Sequence, residues 1–173
     1  MNIVTKFAIA TDESTDVLLQ LTRELAKEKF ASILDINTLT EYIDGQYNRK
    51  YLVSELNNIS NQWLVVYVDD IAVGYTKITS RGKVPSLLTN MRALRIADFS
   101  ILEKYPEPEI RESLFTKCLS LCRHTKGVWI NEYIGNPMIE FFKSKGFIQQ
   151  ADDYEFDEIA LPSVCLIRMN EFQ

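Results

Sequence analysis

The chain is poor in the residues that build most metal and disulfide chemistry. It has one histidine, His124, and three cysteines with no CxxC pair. A zinc site needs about four His, Cys or carboxylate ligands, so no metal centre is expected. An odd cysteine count gives no disulfide framework. Cys118 and Cys122 lie four apart on a predicted helix, hence on one face, and read as small core residues. A Cys–His nucleophile pair is the weaker reading, because His124 sits near that helix's C-terminus, where it complements the dipole. Basic charge is also scarce, with 19 Lys+Arg against 24 Asp+Glu and a net charge of −5. That leaves no broad basic footprint for nucleic acid. The longest apolar run, 63–68, is far short of the roughly 18 residues of a membrane span. The start Met1-Asn2-Ile3-Val4-Thr5-Lys6 shows no basic stretch followed by an apolar one, so no secretory signal is read and a cytoplasmic setting is expected.

What is present is ordinary for a globular protein: 46% hydrophobic and 25% charged residues in a chain of 173. No repeat or Gly/Ser linker divides it, so one domain over 1–173 is expected. A core of this size buries roughly 70% of the unfolded chain's surface. Strand signals fall at 4–9, 63–68, 71–78, 91–102, 128–130, 147–150 and 163–169. Asp69-Asp70 turns the central hairpin, and Gly74 marks a bulge or a close backbone approach. Helical periodicity covers residues up to about 29, with Leu18, Leu21 and Leu25 on one face, and then 38–56, where Gly45 weakens the middle. A third helix starts around Pro106-Glu107-Pro108-Glu109, with Ile110, Leu114, Cys118, Leu121 and Cys122 as its buried stripe. A fourth opens at Asn136-Pro137, as N-cap and first residue, and closes at Gly146 as a left-handed cap. The last two strands are expected to pair around the acidic loop 152–158. The order is β-α-α-β-β-β-α-β-α-β-β, an α/β (α+β) chain with four helices flanking a mixed, mostly antiparallel sheet.

Certain residues in that order resemble the GNAT superfamily of acyl-CoA N-acyltransferases. The most specific stretch is Gly127-Val-Trp-Ile130 followed by Asn136-Pro-Met-Ile-Glu-Phe-Phe-Lys-Ser-Lys-Gly-Phe147. It is similar to the family's strand, then Asn, an aromatic pair and a terminal Lys-x-Gly-Phe. The hairpin Val66-Tyr-Val-Asp-Asp-Ile-Ala-Val-Gly-Tyr75 is similar to the family's central meander, and 41–58 looks like the bacterial polyamine acetyltransferase branch. The likeness runs from about Val4 to Met169.

The resemblance implies acetyl-CoA as cosubstrate and acetyl transfer to an amine of a small molecule or peptide. In such enzymes amides of the fourth strand polarise the acetyl carbonyl and amides at the third helix start hold the pyrophosphate. Carried onto this chain, Phe99, Ser100, Ile101 and Leu102 supply the strand amides. Glu109, Ile110, Arg111, Glu112 and Ser113 lie at the phosphate turn, and Asn136 and Phe142 line the cofactor from the last helix. Asp98 is the nearest strand carboxylate for a general base, with Glu103 just beyond; a plain solvent-facing role competes for both. Asp35, Glu41 and Asp44 suit either the attraction of a cationic amine or the solvated faces of two helices, the second being preferred, and Trp63 and Trp129 read as core or sheet residues rather than stacking platforms for bases. Dimerisation through sheet edges or the C-terminal strands follows only from family likeness.

Two chemical parts depart from the family pattern. The family's Gln/Arg-x-x-Gly-x-Gly/Ala turn reads Pro106-Glu107-Pro108-Glu109-Ile110-Arg111, with both glycines replaced. Glycine lets backbone approach phosphate without a Cβ in the way, and Pro108 removes a donor. Glu107 and Glu109 add negative charge, which Arg111 offsets in part. At Phe142 the family usually has the tyrosine that protonates the leaving thiolate, and phenylalanine has no hydroxyl. Tyr133 is the candidate substitute acid, with Tyr154 as a further one. The competing reading is a GNAT-shaped ligand-binding or dimerising module that has lost its pyrophosphate turn and its catalysis.

Overall fold

The computed structural model describes residues 1–151, 154–155 and 159–171. The elements are β1 (Ile3–Phe7), α1 (Asp12–Phe30), α2 (Ile36–Gln46), α3 (Arg49–Leu56), β2 (Asn61–Val68), β3 (Ile71–Thr79), a short 3₁₀ turn (Ser86–Leu88), β4 (Ala93–Ile101), α4 (Pro108–Cys122), β5 (Gly127–Tyr133), α5 (Met138–Ser144), β6 (Ile148–Gln149), β7 (Tyr154–Glu155) and β8 (Pro162–Met169). The sheet runs β1-β2-β3-β4-β5-β8-β6, with β7 also paired to β8. No helix among the described residues is long and apolar enough to cross a membrane. The residues group into two units, Met1–Lys77 with Asp98–Leu119, and Ile78–Ala97 with Ser120–Gln173.

In the first unit, Thr11 caps α1 by accepting from the Ser14 amide at 3.2 Å. Asp12 and Glu13 occupy the first turn of α1, and Lys27 and Lys29 the last, each sign at the favourable end of the dipole. Leu18, Leu21 and Leu25 are buried as their spacing predicts, and α1 packs on α2 and α3. The β2–β3 hairpin turns through Asp69 and Asp70 at φ 47° and 66°, the two left-handed residues of a type I′ turn. Along β4, Phe99 meets Phe115 of α4 edge-on, at 6.2 Å between centroids. Its neighbour Asp98 therefore points to the other face of the strand.

Five α-helices stand among the described residues where the sequence reading expects four. The stretch 38–56 is two helices, and the break falls at Tyr47-Asn48 rather than at Gly45, which stays inside α2. Asn48 makes the break. Its Oδ1 accepts from the Tyr51 amide at 2.9 Å, capping α3, and its Nδ2 donates to the Asp44 carbonyl at 2.9 Å, closing α2. Arg23 Nη1 donates to the Tyr47 carbonyl at 2.9 Å and Nη2 to Asp44 Oδ1 at 2.8 Å. Asn48→Ala removes both caps. It is expected to cost about 1–2 kcal/mol and to lower the melting temperature by roughly 2–8 °C, read by thermal unfolding followed by circular dichroism.

In the second unit, β4 and β5 pair in parallel only from Ala93↔Gly127 to Arg95↔Trp129. On its other edge β5 stays paired with β8 from Gly127↔Met169 to Tyr133↔Ser163. Leu88, Trp129, Cys165 and Ile167 form a buried cluster with Ala93 against it. Phe142 is fully buried between Phe141 and Phe147, at centroid distances of 5.6 and 5.4 Å. Gly146, at φ 87°, closes α5 as expected. The start of α5 differs by one residue from the expectation. Pro137 takes the cap position without a side-chain bond and the helix begins at Met138, while Asn136 Oδ1 still accepts from the Met138 amide at 2.9 Å. The strand around 148–149 pairs with β8 as expected. Of the expected acidic loop 152–158, only Tyr154 and Glu155 are described, as backbone on β7, and the Tyr154 side chain lies outside the described part.

Candidate active site

Within the first unit, four side chains converge on Asp98. Tyr75 from β3 and Tyr47 from the α2–α3 break both donate their hydroxyls to Oδ2, Tyr47 at 3.3 Å. Ser100 Oγ donates to Oδ1 at 3.0 Å, and Lys29 Nζ from the end of α1 forms an ion pair with Oδ1 at 3.6 Å. The two phenols also touch each other at 3.3 Å, and Tyr42 extends the chain to Tyr47 at 3.5 Å. Trp63 stacks on Tyr75 at 5.7 Å and 25°, and Lys77 lies over the Trp63 ring. Tyr75 is 1% exposed and Tyr47 7%, whereas the Asp98 and Lys29 side chains keep 19% and 12% of theirs. Burial, reinforced by the neighbouring phenols and by Asp98, pushes both tyrosines well above their ordinary range. They therefore stay protonated and act as fixed donors that hold a solvent-reachable carboxylate.

The strand beyond Asp98 is held close to β3. A Cβ built on Gly74 would lie 2.7 Å from Ile101 Cγ1 and 2.8 Å from the Ser100 carbonyl oxygen, which is the close approach that a glycine inside a strand signals. The Leu102 amide donates to the Val73 carbonyl at 2.9 Å. This corrects the expectation that Leu102 offers a strand amide to a ligand, since its donor is already used. After the strand, the Glu103 amide donates to Glu28 Oε2 at 3.0 Å and Lys104 pairs with Glu24 at 3.2 Å, tying the chain to α1.

At the α4 start, Pro108 is the first helical residue. The Ile110 amide donates to the Glu107 carbonyl at 3.2 Å, and the Ile110 side chain is fully buried. Glu109 is exposed, Arg111 and Glu112 are half-buried, and the half-buried Ser113 shares a hydrogen bond with Thr5 at 2.8 Å. In the second unit, Tyr133 is half-buried at the end of β5. Asn136 is buried and donates to Glu132 Oε2 at 2.7 Å. Asn131 Oδ1, two residues past the last β4–β5 pair, is buried with no hydrogen-bond partner among the described residues.

No protein-family model matches the chain. Among solved structures, it is similar to the PaiA N-acetyltransferase of Thermoplasma acidophilum in complex with coenzyme A. That likeness has 14% identity and a TM-score of 0.78, covering 98% of this chain and 99% of that one. The chain has the GNAT fold. FeeM, an N-acyl amino acid synthase from uncultured soil microbes, is similar at 12% identity and TM-score 0.69, over 97% of this chain and 91% of that one. NAA60 of Arabidopsis thaliana, in complex with a bisubstrate analogue, is similar at 13% identity and TM-score 0.68, over 99% and 100%.

Within this GNAT fold, the structure gathers Asp98 to Ile101 on β4, Leu102 just past its end, and 109–113 on the helix that follows, all in the first unit. Tyr133, Asn136 and Phe142 belong to the second. The sequence reading missed Lys29, Tyr47 and Tyr75 as partners of Asp98. Tyr75 lies on β3 in the same alternation as Ile71 and Val73, but also as Lys77 and Thr79, so the strand gave no clear local signal for it. Asp35 caps α2 by accepting from the Asn37 and Thr38 amides, and Asp44 pairs with Arg23 at 2.8 Å, roles that the sequence reading did not assign.

Proposed function

We propose that this protein is an acetyl-CoA-dependent N-acetyltransferase acting on an amine of a small molecule or peptide. The observation that carries the proposal is Asp98, a carboxylate held by buried tyrosines yet still 19% exposed, immediately before the strand segment Phe99-Ser100-Ile101. Acetyl-CoA supplies the acyl group as an activated thioester. One observation supports its fit. With the Leu102 amide bonded back to β3, alternation along the strand directs the adjacent Ile101 amide to the opposite edge, where it suits a carbonyl oxygen. The α4 start is the weaker part. It offers Glu109 and Arg111 amides beside Pro108, and Arg111 as a direct cationic contact in place of a glycine nest.

In this reading Asp98 Oδ1 receives a proton from the acceptor ammonium, and the Phe99 and Ile101 amides, on the edge away from β3, face the acyl carbonyl, while the Ser100 amide shares the β3 edge with that of Leu102. The amine nitrogen bonds the acyl carbon, the carbon–sulfur bond breaks, and the departing thiolate is protonated. Tyr133 is the proposed donor for that proton, because Phe142 has no hydroxyl. Coenzyme A in the PaiA structure and the bisubstrate analogue in that of NAA60 support the cosubstrate class. Calorimetric titration with acetyl-CoA is expected to show saturable binding, with a dissociation constant of roughly 1–100 μM, and amine-dependent release of free thiol. Saturable binding without transfer to any amine would favour the non-catalytic module. No heat of binding up to millimolar acetyl-CoA would remove the cosubstrate altogether.

A further inference from the structure

The last torsion of an aspartate is broad, so the plane of the Asp98 carboxylate is set by its donors rather than by its own rotamer. Tyr75 and Tyr47 reach Oδ2 from different elements. Tyr75 sits inside β3, where the strand ladder places it. Tyr47 has no such frame. It lies between α2 and α3 at φ −124° and ψ 62°, and its hydroxyl is 3.3 Å from Oδ2, past the roughly 3.0 Å that closes the usual O–H···O range. A small outward shift of residue 47 therefore loses the bond. The Tyr47 amide bonds back to the Ile43 carbonyl at 2.8 Å, but its carbonyl is held from outside α2. The helical partner of that carbonyl is the Tyr51 amide, which Asn48 Oδ1 has taken at 2.9 Å. Arg23 of α1 supplies the donor instead, Nη1 to the carbonyl at 2.9 Å, while Nη2 is fixed on Asp44 Oδ1 at 2.8 Å. A planar guanidinium held at both nitrogens is a rigid fork. The Arg23 and Asp44 side chains keep 36% and 60% of their exposure, so the ion pair itself adds little to stability.

We propose that Arg23 is a positioning residue of the active site: by holding the Tyr47 carbonyl it keeps the Tyr47 hydroxyl on Asp98 Oδ2, and so fixes the orientation in which Oδ1 meets the acceptor amine. The inference rests on the transferase reading and extends its machinery to a half-exposed arginine on α1. With Tyr47 lost, Tyr75 still anchors Oδ2 but the carboxylate plane is free to turn about it, and a base that is out of line with the proton it takes is a slower one. The effect therefore falls on the chemical step, not on the binding of acetyl-CoA.

The test is a double-mutant cycle on steady-state acetyl transfer by the intact protein. Thiol release from acetyl-CoA is followed with 1,4-diaminobutane, 2-phenylethylamine and the peptide Ala-Ala-Ala, and the fastest acceptor is carried forward. Arg23→Ala and Tyr47→Phe are each expected to lower kcat roughly three- to tenfold, the scale of one hydrogen bond, with the KM for acetyl-CoA unchanged. The double variant is expected to be no slower than the slower single one, because both remove the same bond. Arg23→Lys, a point charge that meets only one of the two acceptors, is expected to fall in between. Should Arg23→Ala fold poorly, Asp44→Ala carries the same comparison, since it frees Nη2 at an exposed position. Losses that multiply in the double variant, or an Arg23→Ala kcat equal to that of the wild type, overturn the inference and leave the transferase reading standing. No amine-dependent thiol release by the wild type with any of the three overturns both.

Discussion

Asp98→Asn is expected to lower kcat for amine acetylation by roughly 10²–10⁴-fold, the range for losing a positioned general base, while acetyl-CoA still binds. The amide keeps the size of the side chain and one acceptor oxygen, so Tyr75 and Tyr47 retain a partner. It loses the negative charge that holds Lys29 and the capacity to accept a proton. Because Asp98 and Lys29 are both partly exposed, the cost in stability is modest, about 1–2 kcal/mol. Steady-state kinetics with both substrates varied, beside a melting curve, separate the two effects. A variant with unchanged kcat and a lowered melting temperature would reduce the cluster to a structural brace between α1, the α2–α3 break and β4.

Gly74→Ala is the substitution with the largest expected effect on stability. Its Cβ would fall 2.8 Å from a backbone oxygen, that of Ser100, as well as 2.7 Å from Ile101 Cγ1. A side-chain tip can swing away, but a strand carbonyl cannot without breaking its ladder. Overpacking of this kind costs about 2–3 kcal/mol, a fall of roughly 4–12 °C in melting temperature at this chain length. The displaced residues include Ser100, which donates to Asp98, so acetyl transfer is expected to fall as well. An unshifted melting temperature would show that β3 and β4 separate more readily than their packing implies.

The local pieces of the fold were legible because each is written in adjacent residues. Asp69-Asp70 between two strand-like runs gives the hairpin, Leu18, Leu21 and Leu25 give the buried face of α1, and Gly146 after Lys143 and Lys145 gives the end of α5. The helix break was misplaced at Gly45. Helix propensity penalises glycine by about 1 kcal/mol, but the capping bonds of Asn48 outweighed it and moved the break to Tyr47-Asn48. That shift has consequences, since it sets Tyr47 at the non-helical position from which its hydroxyl reaches Asp98.

Residue order and spacing, with the family resemblance, were sufficient for the fold class and for the order of elements except that 38–56 is two helices and a short strand at 154–155 was not expected, because periodicity, turn residues and motif order are properties of neighbours. They were silent on the surroundings of Asp98. Tyr47 and Tyr75 lie 51 and 23 residues from it, and Lys29 sits on another element again. Only strand pairing and helix packing bring those three distant side chains within reach of one carboxylate.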